Sequence, residues 1–164
     1  MNALRTAFLS LHIAGGVIGL VLGAYVLRPP LTSRFRLWVR SAYTFAVVVL
    51  SAFLVALVMI DWTELDATTR IVFAALVGLA ILIVTRALLA FRQAQRQTGD
   101  WHATYMKHIF FTYISLWEGF FIVGLLDLGA PGWLVGAVAV GVLLLGSVWF
   151  TRWRGDLVGR PALE

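Results

Sequence analysis

Cysteine is absent from this 164-residue chain. That excludes a disulfide-stapled secreted fold. Charge is scarce: 13% of the residues are Asp, Glu, Lys or Arg, against about a quarter in soluble domains. Lysine occurs once, as Lys107 at the edge of an apolar run, which argues against a buried retinal Schiff base. No hydrolase triad, phosphate loop or closed zinc site can be read from the residue order. What remains is 61% apolar, with a mean hydropathy of +0.91. A globule of this length cannot hide that much apolar surface from water. The composition therefore predicts one compact integral membrane domain.

A helix crossing the ~30 Å hydrocarbon core needs about 20 mostly apolar residues. Five stretches qualify: Ala7 to Leu27, Val39 to Ile60, Ile71 to Phe91, His108 to Leu128 and Pro131 to Thr151. A transmembrane barrel would need short alternating segments, whereas VVVLSAFLVALVMI and AVAVGVLLLGSVWF are apolar on every side. The expected fold is an all-α bundle of five transmembrane helices. Arg28, Arg34, Arg36 and Arg40 follow or flank the first connection, Arg92, Arg96 and Lys107 the third, and Arg152, Arg154 and Arg160 the tail. Asp61, Glu64 and Asp66 dominate the second connection, and Gly129-Ala130-Pro131-Gly132 makes an uncharged turn at the fourth. Basic loops remain cytoplasmic, so the N-terminus is expected outside and the C-terminus inside, as in a bacterial inner membrane. The formal charge of +5 then reads as a topology signal rather than a nucleic-acid footprint.

Six of the seven tryptophans fall near these boundaries, Trp117 being the exception. Pro29-Pro30 ends the first span, and Asp66 or Thr68 is placed to cap the third. The first span carries the sharpest pattern, His12-Ile-Ala-Gly15-Gly16-Val-Ile-Gly19-Leu-Val-Leu-Gly23. Glycines at this spacing strip one helix face of side chains. That face suits a neighbouring helix, with Gly15, Gly19, Gly23 and, in span five, Gly132 and Gly136 as packing positions. It also suits a b-type haem or a pigment with His12 as axial ligand and Gly15, Gly16 and Gly19 beneath the ring. Met59 is then the one sixth ligand at the outer level. His102 and His108 form a weaker metal candidate at the inner end.

Glu118 lies about ten residues into span four, ~15 Å deep, and Arg86 about five residues from the inner end of span three. A carboxylate at that depth is costly unless neutral or paired. Side chains lean toward their helix N-terminus, so these two lean together, and an intramembrane Arg86–Glu118 ion pair is expected. Tyr113, Ser115 and Trp117 on span four, and Ser41, Tyr43 and Ser51 on span two, supply most of the other polar content.

Leu11-His12-Ile13 with the glycines after it, together with His102-Ala-Thr-Tyr-Met106 ahead of an aromatic span, resembles small bacterial multi-pass membrane proteins grouped as a domain of unknown function. The likeness covers about two-thirds of the layout. Members carry a further histidine at the start of span two, where this chain reads SRFRLWVRSAY. The opening also resembles haem-bearing membrane oxidases, which would imply haem and electron transport. Three functions follow as expectations. One is a non-catalytic packing subunit of a larger bioenergetic assembly or a homo-oligomer in the bilayer, holding haem or pigment at His12. The others are a proton-coupled carrier using Glu118 and Arg86, and an enzyme with its site near His102 and His108.

Overall fold

The computed structural model describes residues 3–27, 33–97, 101–131, 133–138, 140–142, 144–146 and 148. Four long helices occupy most of them: α1 (Ala3–Val26), α2 (Ser33–Asp61), α3 (Ala67–Arg96) and α4 (Trp101–Asp127). Each contains a stretch long and apolar enough to cross a membrane. All four are longer than the apolar runs that announce them. Polar ends such as ATTR before Ile71 and WHATYMK before His108 continue the helix, because a helix satisfies its backbone whatever its side chains face. His102, ahead of the expected span, consequently lies within α4 together with His108.

The chain divides into two compact units, residues 1–117 and 118–164. In the first, α1 and α2 run antiparallel. Gly15 meets the backbone of Ala46 and Leu50, and Arg5 meets Asp61. The buried residues of α1 are its three zipper glycines, Gly15, Gly19 and Gly23. With no Cβ on that face, the partner backbone approaches closely and dispersion contacts replace side-chain interdigitation. Helix α3 buries Leu76, Ala80, Ile83, Ala87, Ala90 and Ala94, alternating steps of four and three. That is a heptad seam made mostly of alanine, again allowing close packing. Outward-facing apolar side chains such as Ile13, Phe45, Ile71 and Ile81 clothe the helices, a surface expected against lipid rather than water.

The loop between α2 and α3 is closed by polar contacts. Asp66 is the N-cap of α3, accepting from the amides of Thr68 and Thr69 at 2.9 and 3.0 Å and from the Thr69 hydroxyl. These bonds favour the charged carboxylate, and they hold Asp66 below the usual aspartate range, the Thr69 hydroxyl contributing most. Arg70 reaches back to donate to the carbonyls of Trp62 and Thr63, its guanidinium 5.9 Å from the Trp62 ring centre. Arg5 forks onto Asp61 with three contacts of 2.8–3.0 Å, tying the start of α1 to the end of α2.

In the second unit, α4 ends in a left-handed glycine cap. Gly129 has φ +70°, its amide donates to Leu126, and Ala130 donates to Leu125. A β-carbon is disfavoured in that conformation, which explains glycine in the expected turn. Pro131 accepts from Leu134 and Val135, starting a further helical stretch over the described residues between 133 and 146. Gly132, Trp149, Trp153 and the arginines of the tail lie outside the described residues, as do Arg28 and Pro29-Pro30.

Candidate functional site

The glycine face of α1 is occupied by the chain itself. A β-carbon on Gly15 would stand 3.0 Å from the Leu50 nitrogen and 3.2 Å from the Ala46 oxygen, both backbone atoms of α2. On Gly16 it would meet the Leu50 side chain at 3.0 Å, and on Gly19 a Leu116 methyl of α4 at 3.3 Å. On Gly23 it would meet the rings of Tyr113 and Tyr43. Gly15, Gly16 and Gly19 therefore do not floor an open slot for a planar cofactor; α2 and α4 already fill it. Gly136 has nothing within 4 Å of its missing side chain, so it makes no close packing contact among the described residues.

His12 is placed between α1 and α2, with Nδ1 2.9 Å from the Leu50 carbonyl oxygen. A carbonyl only accepts, so Nδ1 carries the proton and the Nε2 lone pair remains. Met59 does not come to it. It stands nine residues beyond Leu50 on α2, about 13 Å along the axis, and is 74% exposed. There it lines an apolar groove with Val55, Val58, Trp62, Ala74 and Val77. The depth shared by His12 and Met59 in the sequence reading is lost because Leu50, not the end of α2, lies opposite His12.

His102 and His108 are six residues apart on α4, about 9 Å in rise and on different faces of the helix. His102 is exposed and sits edge-on to Trp101, while the His108 Nδ1 is buried with no hydrogen-bond partner. Among the described residues no cluster of three metal-ligating side chains occurs. Arg86, on α3, lies with its guanidinium 5.2 Å from the centre of the Phe111 ring. Glu118 belongs to the second unit. It is 4% exposed, and its Oε2 is buried with no hydrogen-bond partner.

The feature least visible in the sequence is a polar seam between α2 and the first part of α4. The Tyr43 hydroxyl lies 2.7 Å from Thr112 Oγ1, both fully buried. Thr112 donates its single hydrogen to the Ile109 carbonyl at 2.8 Å, so Tyr43 is the donor to Thr112. Ser51 and Ser115 each bury a hydroxyl oxygen with no partner. At one end of the seam Arg40 packs its guanidinium 4.4 Å from the Tyr105 ring centre and 5.6 Å from that of Trp101. Arg40 counted in the sequence as one more basic flanking residue. The available signal was its spacing: Arg40, Tyr43 and Val47 follow i, i+3, i+7, which places all three on one helix face.

Fold and site together define an all-α chain with four helices long and apolar enough to span a membrane, carrying polar groups in its helix contacts. No protein-family model, curated protein or solved structure matches it.

Proposed function

We propose that this chain is a small polytopic membrane protein that moves protons, with Glu118 as the exchanging group. The carrying observation is the Glu118 carboxyl itself, buried on a helix long enough to span the bilayer, with one oxygen lacking any hydrogen-bond partner. A carboxylate held so is expensive in hydrocarbon, and ionisable residues inside a membrane mark substrate, ion or proton pathways. Burial of this kind lets a carboxyl alternate between neutral and charged forms as its surroundings change. The proposed topology has five spans, the stretch after Pro131 supplying the fifth, with the N-terminus outside and the C-terminus in the cytoplasm of a bacterium. A homo-oligomer would supply the pathway walls that so short a chain lacks.

Reconstituted protein should dissipate an imposed pH gradient in liposomes. Glu118→Gln should abolish the flux and Glu118→Asp retain part of it. Flux unchanged in Glu118→Gln rejects the reading.

A second reading is favoured by His12. Its Nδ1–H is oriented by a backbone carbonyl, the arrangement that prepares the opposite nitrogen to ligate a metal. This supports a packing subunit of a bioenergetic assembly with a haem or pigment held at His12. A Soret band lost in His12→Ala would support it; a spectrum without visible absorption removes it. The unconverging positions of His102 and His108 leave the enzyme reading without an arranged site.

A further inference from the structure

Arg40 is a buried cation with no anionic partner among the described residues. Only 9% of its surface is exposed, and its guanidinium contacts are the faces of Tyr105 and Trp101. Among the described residues the one ion pair is Arg5–Asp61, so Arg40 is bound to no carboxylate there. The described acids of the first unit, Asp61, Glu64 and Asp66, stand at or beyond the far end of α2, at least 21 residues or about 30 Å along its axis from Arg40. Cation–π attraction to the two rings stabilises the guanidinium. Among the described residues no hydrogen bond engages its N–H fork, the part that grips a carboxylate or phosphate with two parallel bonds.

The position narrows the ligand. Arg40 is the fourth residue of the apolar stretch of α2, which begins at Leu37, and Trp101 opens α4. Trp38 beside it is 63% exposed. Exposed tryptophan and the first turn of a span mark the membrane–water interface, where lipid phosphates lie. Exposed Arg92 and Arg96 near the end of α3 and Lys107 in the second turn of α4 flank the connection and raise the local concentration of anions.

We propose that Arg40, packed beside Trp101 and Tyr105, is a binding site for a phosphate group, carried by an anionic phospholipid headgroup. The rings hold the guanidinium at one depth near the start of the span, where a phosphate can meet its N–H fork. Stabilisation by that lipid would join the starts of α2 and α4, two elements with no direct chain connection.

The test is thermal unfolding of the full purified chain in detergent, titrated with phosphatidylglycerol, phosphatidylcholine or inorganic phosphate. Phosphatidylglycerol should raise the melting temperature saturably and phosphatidylcholine much less. Arg40→Gln should abolish the shift. Arg40→Lys, which keeps the charge and loses the fork, should need about tenfold more lipid, the equivalent of one charge-assisted hydrogen bond. Arg96→Gln should retain the wild-type response, separating a site from general charge attraction. An equal shift with inorganic phosphate supports the anion site and makes free phosphate its source. Asp100→Asn should leave the titration unchanged; tighter binding in that variant would show that a carboxylate already holds the guanidinium, and would overturn the proposal. So would an Arg40→Lys protein that binds as tightly as wild type, which keeps the test decisive if Arg40→Gln does not fold.

Discussion

Replacing Gly15 by alanine sets two effects of similar size against each other. In a helix interior alanine is favoured over glycine by about 1 kcal/mol, because glycine loses more backbone freedom on ordering. Against that gain, the new methyl would stand 3.0 Å from the Leu50 nitrogen and 3.2 Å from the Ala46 oxygen. Carbon contacts normally begin at about 3.5 Å, and both obstructing atoms are backbone of a packed helix, unable to swing aside. Helices α1 and α2 must then separate by a few tenths of an ångström along their whole contact. Overpacking of this kind costs about 1–3 kcal/mol. The methyl clash outweighs the propensity gain, and a net loss of about 1 kcal/mol is expected. Gly15→Val, with two further methyls, should lose more. Gly78, within α3, has open space where its β-carbon would be. Gly78→Ala should therefore stabilise by about 0.5–1 kcal/mol through the propensity term alone. The assay is helix content followed by circular dichroism against temperature or SDS. A Gly15→Ala protein at least as stable as wild type would refute the claim that α2 seats directly on the zipper glycines.

Three further outcomes follow from individual contacts. Tyr43→Phe removes the donor to Thr112 without changing ring packing, and should lower stability by about 0.5–1.5 kcal/mol in the same unfolding assay; no change would mean the Tyr43 hydroxyl does not depend on Thr112. Asp66 is held below its ordinary range, so its cap is at full strength above about pH 4 and weakens as pH falls through the lower folded value. The acid limb of a stability profile should accordingly be shallower in Asp66→Ala, and an unchanged limb would contradict the cap. Arg5→Gln should lower the melting temperature slightly at low salt and hardly at all at high salt, since the Arg5–Asp61 pair lies in contact with solvent.

How much of the site was legible varies residue by residue, for physical reasons. The cap at Asp66 was visible because capping depends on neighbours two and three positions away. The glycine turn at Gly129 was visible because a left-handed residue is a local requirement. Whether the zipper glycines of α1 receive a helix or a flat ring depends on which residues arrive from elsewhere, and α2 and α4 arrive. Met59 seemed level with His12 because both were placed by distance from a span end. Leu50 being the partner of His12 shows that register between helices, which no single helix encodes, sets that depth. Arg40 was misjudged for a related reason: basic residues beside apolar runs usually report orientation, and only the arrival of Tyr105 and Trp101 makes this one a buried cation.

The amino-acid order by itself determined that the chain is helical and apolar enough to span a membrane, and where most of its long helices lie. Hydropathy and backbone hydrogen bonding act within one segment and need no partner. Only the tertiary structure decided that the glycine stripe is consumed internally, that the candidate ligands of α1 and α2 stand apart, and that Arg40 packs beside two rings. Those outcomes are contacts between residues up to 97 positions apart, such as Gly19 with Leu116, and such contacts exist only once the helices have chosen one register against one another.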